Sequence, residues 1–516
     1  MKSREPLSSE DETSEPIGKL QAAENSIFAS RWERFTPYIA EYWGTLVVTA
    51  TFLCNVDVGH GIDPSFRSIC HAFMVVGMVS ATKHVTGSSL NPSVSLALAL
   101  AGRQKIRTAG FLCIAQILGA ITAVAMCTKA GIAKDVTLGP ILGHNWFQVA
   151  LLETLYATMM CIVYLNCAAS TKNNPKGDQN GFVGLAYGLC YLASHNAATG
   201  VCKTVTNSAI SIALIVWGQS DSVSFGQGVG YFFYDLLGAF LAAGAFRVVR
   251  PHEFLSGSSE IEDNILESAP LAAEFTGTFF VVLTQICTKM SKLVEHDMGP
   301  QAFGTAAAVI SMVYAFRDVS GAHFNPAVTL AVRSSGRTPA EDLVSSRPGT
   351  DVGDLRFGVF YTIAQVLAGM LAAAVAGMVH TGGQWAKPIA QDSTVGQVMI
   401  AEGFGTFFLC YVVLGSSVTF PVDGARSKQN NLSGLAYGSV ELAATLSVGN
   451  ISGALMNPAS AVAAAMVGTI SSKTSIVVYC FYHAGAGVLA AASFLLTHAQ
   501  LYVKDARDAD ELNRQI

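Results

Sequence analysis

Apolar residues in this chain are gathered into long runs that polar segments separate. Twelve runs have the length, about 17 to 25 residues, at which a helix crosses roughly 30 Å of hydrocarbon. They therefore predict membrane-spanning helices. The predicted spans lie near 37–55, 66–82, 108–128, 147–169, 181–197, 226–248, 269–288, 301–316, 356–379, 395–418, 431–448 and 474–497.

Four shorter apolar pieces lie between the predicted spans, near 91–101, 207–217, 325–333 and 457–468. Each is too short to cross the hydrocarbon and suits a half-helix that enters and leaves by the same face. The pattern as a whole predicts an all-α membrane protein with twelve transmembrane helices and four re-entrant half-helices.

The order of landmarks along the chain indicates that one unit is used twice. The matching segments are EYWGT at 41–45 with EFTGT at 274–278, TGSSLNPSVSLAL at 86–98 with SGAHFNPAVTLAV at 320–332, and GLAYG at 184–188 and again at 434–438. A weaker echo relates the two halves of each unit. Because an odd number of spans separates these echoes, the halves are predicted to be inverted in the membrane.

Composition narrows the function further. Charged residues make up 13% of the chain and hydrophobic residues 51%, a balance typical of membrane proteins. The net charge of −5, with no basic run interleaved with aromatics, gives no support to a nucleic-acid partner. The eleven cysteines form no CxxC pair or metal-ligand spacing, so no metal or cofactor is predicted. No nucleophile and base arrangement indicates an enzyme.

Two three-residue motifs carry the most specific information, Asn325-Pro326-Ala327 and Asn457-Pro458-Ala459. Each opens a short apolar segment after a Ser-Gly turn. Asparagine is a good helix cap, and proline suits the first helical position because its missing N–H would be unpaired there. A pair of such motifs inside a recurring six-span unit resembles the aquaporin, or major intrinsic protein, family. The resemblance covers about residues 37–500.

The resemblance implies two aquaporin-like six-helix bundles in tandem, which we call unit one and unit two. The predicted organisation is a disordered cytosolic tail at 1–36, unit one at 37–250, a polar linker at 251–268, unit two at 269–500 and a cytosolic tail at 501–516. An excess of Lys and Arg on the inner side supports cytosolic termini. The sequence does not distinguish a plasma membrane from an intracellular one.

The resemblance also implies that the two half-helices of a unit meet at the bilayer midplane. Their positive dipole ends and both Asn amides would then point into the lumen, where cations and protons are disfavoured. The expected function is passive conduction of water or of small neutral solutes such as glycerol and urea. Besides these solutes, membrane lipid is the predicted partner.

Unit one departs from the motif, with Asn91-Pro92-Ser93 followed by Asn207-Ser208-Ala209. Both asparagines remain, so the dipole and amide argument still applies. Ser208 replaces the second proline, and Lys203 stands in the preceding turn, where the family usually has glycine. The second half-helix of unit one is therefore the less certain one.

The family's narrowest ring has four positions, which the resemblance places by register from the asparagines. They are His71, His195, Thr204 and Ile210 in unit one, and Thr305, Thr445, Ala454 and Ser460 in unit two. Water-selective members have an Arg where Ile210 and Ser460 stand. Unit two is thus expected to have a wide, uncharged ring. In unit one the two imidazoles either face each other and make conduction depend on pH, or are neutral packing residues.

Glu441 lies one helical turn before Thr445, so it is expected to line the same pore. An intramembrane carboxylate is a functional candidate. With no Arg opposite, it would tolerate ammonium or another cation; pairing with Arg317, or protonation in place, is an equal alternative. Tyr191 is its counterpart in unit one.

Four glutamates open the first and fourth spans of the units: Glu41, Glu153, Glu274 and Glu402. The resemblance implies that they accept hydrogen bonds from backbone N–H groups of the re-entrant loops, which need such partners at membrane depth. Asp235 and His483 occupy matching places in the last spans, where they are expected to make polar contacts inside each bundle.

Three other hypotheses remain open. A secondary transporter would also show inverted repeats, but with a moving midplane site. A membrane scaffold would result if the lumen of unit one, or both, had lost conduction. Finally, a homodimer of this two-unit chain would give the four-pore ring that family members commonly form.

Overall fold

The computed structural model describes residues 33–56, 64–132, 136, 138–141, 143–174, 180–217, 225–255, 260–291, 297–336, 355–380, 393–417, 432–470 and 476–502. Both predicted tails lie almost wholly outside these residues. The described part of the chain is helical and contains no β-strand, only an isolated bridge between Pro140 and Cys202.

Twelve long helices and four short ones make up the described residues. The long helices are α1 (Thr36–Val56), α2 (Pro64–Thr86), α4 (Ile106–Lys129), α5 (Trp146–Tyr164), α6 (Val183–Ala198), α8 (Phe225–Val249), α9 (Glu260–Met290), α10 (Met298–Ser320), α12 (Leu355–Val379), α13 (Val395–Ser417), α14 (Ser433–Ser452) and α16 (Ile476–Thr497). The short helices are α3 (Pro92–Leu100), α7 (Ser208–Trp217), α11 (Pro326–Ser334) and α15 (Pro458–Met466).

These helices confirm the predicted all-α membrane fold, with twelve spans and four half-helices. Within the described residues, eight helices are long and apolar enough by themselves to cross a membrane, namely α4, α5, α8, α9, α10, α12, α13 and α16. Helix α9 begins at Glu260, so residues 260–268 of the predicted linker belong to the first helix of unit two.

The two units pack their helices in the same pairs. Helices α1 and α4, α5 and α8, and α2 and α6 are neighbours in unit one, as α9 and α12, α13 and α16, and α10 and α14 are in unit two. The last glycine of each GLAYG segment permits one of these contacts. A Cβ at Gly188 would lie 2.7 Å from the Ala72 carbonyl oxygen, and one at Gly438 would lie 2.9 Å from that of Ala306. Small residues thus allow the backbones to approach closely.

The units also pack against each other through α5 and α6 of unit one and α9 and α10 of unit two. Hydrogen bonds cross this interface between the hydroxyls of Tyr156 and Thr284 (2.9 Å) and from Ser311 Oγ to the Ala186 carbonyl (2.8 Å). Phe182 stacks on Tyr314 with ring centroids 4.9 Å apart. The interface is therefore a packed core and not a loose tether.

A buried arginine joins the units where unit one ends. Arg250 follows α8 and is fully buried. Its guanidinium donates to both carboxylate oxygens of Asp318 on α10, to the Ala315 carbonyl (3.0 Å) and to Asn166 Oδ1 (2.7 Å). The pairing fixes the end of unit one to the second helix of unit two.

The chain after Arg250 is also anchored to unit one. A 3₁₀ turn at Pro251–Glu253 brings the Glu253 carboxylate to Arg103 Nη2 (2.6 Å), the Ser170 hydroxyl (3.0 Å) and the Thr171 N–H (2.8 Å). The start of the predicted linker is thus docked on the loops of unit one.

Candidate functional site

Each short helix begins at a motif asparagine that caps it. The Oδ1 atom accepts the N–H two residues later, at 3.0 Å for Asn91, 3.1 Å for Asn207, 2.8 Å for Asn325 and 2.9 Å for Asn457. Ser208 takes the first helical position of α7 where the other three helices have proline, and the helix still forms. A cap hydrogen bond is therefore sufficient to start it.

The same asparagines hold the two half-helices of a unit tip to tip. In unit one Asn91 Nδ2 donates to the Thr206 carbonyl (2.8 Å) and Asn207 Nδ2 to that of Leu90 (3.0 Å). In unit two the same reciprocal bonds run from Asn325 to Met456 (2.9 Å) and from Asn457 to Phe324 (3.0 Å). Each amide has two hydrogens, so one remains beyond these reciprocal bonds; in unit one it lies toward the Tyr191 hydroxyl.

The residue before each motif asparagine adopts a left-handed backbone conformation that is unfavourable for a side chain with a Cβ. The φ angles are 49° at Leu90, 47° at Thr206, 51° at Phe324 and 49° at Met456. This conformation turns consecutive N–H groups toward the protein interior, and the surrounding structure must hold it in place.

The four predicted loop-supporting glutamates lie where those N–H groups point. Glu41 accepts from Ser89 (3.0 Å) and Leu90 (2.8 Å), and Glu274 from His323 (2.9 Å) and Phe324 (2.7 Å). In the other two loops, Glu153 accepts from Val205 and Thr206, and Glu402 accepts from Leu455 and Met456. All four carboxylates are buried.

The two matching polar residues of the last spans differ in their contacts. His483 Nε2 bonds to Glu402 Oε2 at 2.8 Å, which explains its presence in the bundle. Asp235 is fully buried near Ser208 and Glu153, and neither of its carboxylate oxygens has a hydrogen-bond partner among the described residues, so the polar contacts expected of it are not seen. Sequence reasoning anticipated polar contacts at both places but not that His483 supports a loop-supporting glutamate.

Aromatic side chains cluster at the predicted ring positions of unit one and beside its motif asparagines. The Tyr191 hydroxyl lies 3.5 Å from the amide nitrogens of both Asn91 and Asn207. His71 packs edge-on against Tyr191, with centroids 4.9 Å apart, and against His195, with centroids 5.2 Å apart. His71 and Tyr191 are buried and His195 is partly buried.

Two further sets of contacts lie beside this aromatic cluster. Phe52 lies against both imidazoles, with centroid distances of 5.5 Å to His71 and 6.2 Å to His195. At the midplane the hydroxyls of Ser93 and Ser208 are hydrogen-bonded to each other. The remaining ring positions, Thr204 and Ile210, are also buried.

Unit two has small polar side chains at the same ring positions. The hydroxyls of Thr305, Thr445 and Ser460 are buried and make no hydrogen bond within the part of the protein that the structure describes. Ala454 adds only a methyl group. The predicted ring positions of unit two thus carry small side chains whose hydroxyls are uncommitted among the described residues.

Glu441 replaces Tyr191 in unit two and is 5% exposed. Of the partners considered from the sequence, Arg317 donates to the Ser433 hydroxyl (2.7 Å) at the start of α14, two turns from Glu441. Lys289, at the end of α9, lies near Glu441.

Lys289 is the functional candidate that sequence reasoning missed. It is 7% exposed, and its ammonium donates to the carbonyl of Gly453, the residue before ring position Ala454. Gln301 Nε2 donates to the same carbonyl at 3.1 Å. Because Lys289 directly follows an apolar run, its sequence context is that of an ordinary helix-end lysine, and only the fold shows that it turns inward.

Comparison with known proteins agrees with this architecture. The family model described as "Major intrinsic protein" matches residues 29–178, 144–295, 264–398 and 389–513 of the chain. The four matches extend over both units, as expected for a chain in which one unit is repeated.

Individual relatives match one unit's length at a time. The chain is 34% identical to aquaporin NIP1-1 of Zea mays over 214 residues, which is 40% of this chain and 67% of the relative. It is 32% identical to aquaporin NIP1-4 of Oryza sativa over 236 residues, 44% of this chain and 77% of the relative. It is 32% identical to aquaporin Z of Brucella melitensis over 162 residues, 28% of this chain and 64% of the relative.

Proposed function

The chain belongs to the major intrinsic protein family, and from that premise we propose that it is a passive channel in which unit two conducts water and small neutral solutes while unit one is closed. The family consists of channels and not of enzymes. Integral insertion into a membrane by many spans accords with both the family and the apolar helices.

The observation that carries the proposal is the contrast between the two rings. Side chains of His71, His195 and Tyr191 meet across the axis of unit one, whereas the hydroxyls of Thr305, Thr445 and Ser460 have no protein partner among the described residues. A solute that leaves its water shell needs hydrogen-bonding groups that it can reach in the narrowest part of the pore. Unit one also has polar atoms without a partner among the described residues, on His71, His195 and Thr204, but there the aromatic rings pack against one another, whereas the groups of unit two are small hydroxyls. Glycerol and urea are the expected solutes besides water.

A stopped-flow swelling experiment tests the proposal. Vesicles holding the full chain are compared under water, glycerol and urea gradients for the wild type, Ser460→Arg and Ile210→Arg. The two substitutions put the same side chain at equivalent positions of the two units. We expect Ser460→Arg to abolish glycerol and urea flux by narrowing an open ring, and Ile210→Arg to leave flux unchanged.

Three outcomes would contradict the proposal. Loss of flux in Ile210→Arg with retention in Ser460→Arg would assign conduction to unit one. Flux of every solute no higher than in empty vesicles would favour the second candidate, a membrane scaffold, which the closed lumen of unit one supports. Accumulation of solute against its gradient would indicate a transporter.

We also propose that two chains form a symmetric dimer with four lumens. Within one chain, α5 and α6 of unit one cover α9 and α10 of unit two. Among the described residues, the equivalent surfaces formed by α13 with α14 and by α1 with α2 have no such cover. Buried residues make up 78% of the apolar stretch of α5 but 50% of that of its counterpart α13.

A second copy related by a two-fold axis would cover both surfaces with the contact that already joins the units. Large apolar side chains are exposed there, including Trp43 (56%), Phe73 (55%) and Phe404 (58%). We expect the wild type to have the mass of a dimer in detergent. Phe404→Glu should abolish the dimer, and Phe360→Glu, on a lipid-facing surface, should leave it intact. A monomer mass for the wild type would contradict it.

The membrane topology is a further part of the proposal. We place both termini in the cytosol, with unit one at 37–250 and unit two at 269–500. Protease added outside sealed cells should leave tags at both termini intact. Cleavage of either tag would reverse or refute this orientation.

A further inference from the structure

We propose that Lys289 is the cation-excluding residue of unit two, supplying from the first helix of that unit the positive charge that the ring itself lacks. The inference deepens the proposed function and rests on unit two being the conducting pore. It concerns ions such as K⁺, which a pore for neutral solutes must reject.

The first support is the position of the ammonium group. Lys289 is bound to the carbonyl of Gly453, directly before ring position Ala454. Gln301 lies one helical turn before ring position Thr305 and donates to the same carbonyl. A charge held at this carbonyl is thus adjacent to two of the four ring positions.

The second support is the need for such a charge. Glu441 lies one turn from Thr445, and its counterpart Tyr191 reaches both motif amides of unit one, so this position faces the lumen. A carboxylate there attracts cations, and Ser460 brings no opposing charge. Lys289 lies near both Glu441 and Glu402. In a site of low dielectric constant these charges are weakly screened.

The third support is the comparison between the units. Val56 is the counterpart of Lys289 in unit one, and Phe52 is the counterpart of Gln285, whose amide donates to the Ala454 carbonyl at 3.1 Å. Phe52 instead packs on the two imidazoles of the closed lumen. Lys289 and Gln285 therefore belong to unit two, whose ring positions carry small side chains, and apolar residues take their places in unit one.

The test measures two permeabilities on the same vesicles, K⁺ with a potential-sensitive dye and glycerol by swelling. Lys289→Gln keeps a hydrogen-bond donor for Gly453 and removes the charge, while Lys289→Arg keeps both. We expect the wild type and Lys289→Arg to match empty vesicles for K⁺. Lys289→Gln should raise K⁺ permeability on the order of 100-fold with glycerol flux retained, as the loss of one charge about 6 Å from an ion would do at an effective dielectric constant near 20.

A double variant identifies what attracts the ion. If the Glu441 carboxylate attracts cations into a pore that lacks the Lys289 charge, the double variant Lys289→Gln with Glu441→Gln should return K⁺ permeability toward the wild-type level. A Lys289→Gln variant with the same low K⁺ permeability as the wild type, and with normal glycerol flux, would overturn the proposal. So would K⁺ conduction by the wild type.

Loss of glycerol flux separates the remaining cases. If Lys289→Gln loses glycerol flux while Lys289→Arg retains it, the charge holds the loop at Gly453 and does not guard the pore, which also overturns the proposal. A wild type that conducts neither glycerol nor water would refute the proposed conduction by unit two, and not the role of Lys289 in particular.

Discussion

The buried pair of Arg250 and Asp318 allows a quantitative prediction about how the two units are held together. The perturbation is Asp318→Ala, which removes a carboxylate of unit two from a guanidinium of unit one. Arg250 is fully buried, and two of its four acceptor contacts in the structure are to Asp318. The substitution leaves the Asn166 and Ala315 oxygens, which carry no net charge.

The expected cost follows from those contacts. Two hydrogen bonds between charged groups contribute about 1.5 to 3 kcal/mol each, and removal of one partner from a buried ion pair typically costs about 3 to 5 kcal/mol because the other charge stays buried. We therefore expect Asp318→Ala to lower the free energy of unfolding by about 3 to 5 kcal/mol. Replacing both residues, as Arg250→Met with Asp318→Leu, should cost far less than the two single losses together.

The assay is reversible denaturation of the detergent-solubilised chain, arranged as a double-mutant cycle. Arg247→Ala is the matched control, since Arg247 lies on the same helix, is exposed and donates only to the Leu100 carbonyl within unit one (3.0 Å). It should cost less than about 1 kcal/mol. An Asp318→Ala cost as small as that of the control would refute the reasoning, because the pair would then not be desolvated.

Three further predictions concern the loops, the linker and helix packing. Glu402→Gln should reduce glycerol flux and Glu41→Gln should not. Each substitution removes a charged hydrogen-bond acceptor from a strained loop at a cost of about 1 to 3 kcal/mol. Equal effects on flux would mean that both units conduct. Burial opposes ionisation of Glu253, but donors from Thr171, Ser170 and Arg103 outweigh it, so its pKa lies below the ordinary value. The Glu253 carboxylate therefore contributes to stability above about pH 4.3, and that contribution is lost as the pH falls through the lower folded-state pKa. A stability difference between wild type and Glu253→Gln that persists at pH 2 would contradict this pH dependence. Gly188→Ala should destabilise the fold by about 1 to 3 kcal/mol, because its Cβ would lie 2.7 Å from a backbone oxygen of α2, whereas Gly110→Ala, with nothing within 4 Å, should not.

The positions of the helices could be predicted closely from the sequence. The apolar run at 207–217 became α7 at Ser208–Trp217, and the run at 325–333 became α11 at Pro326–Ser334. Each depends on local properties, namely the length of an apolar run and an asparagine able to cap the next turn. The repeat and the family followed from the same local landmarks, and both are confirmed.

The state of each lumen could not be read in the same way. Register placed His71 and His195 at one ring, but it left facing imidazoles and packed imidazoles equally open. Whether a lumen is filled depends on the distances between side chains from helices far apart in sequence, such as Phe52 and Tyr191. Those distances are set only when the helices pack.

The sequence by itself thus determined the membrane class, the twelve spans, the four capped half-helices and the tandem repeat, because hydrophobic length and capping act over a few neighbouring residues. Only the tertiary structure decided which helices of the two units pack against each other, that Arg250 pairs with Asp318, and that Lys289 turns toward Gly453. The physical reason is that a buried charge must find its partner across the packed helices, and nothing in the residues beside Lys289 or Arg250 specifies which helix will bring that partner.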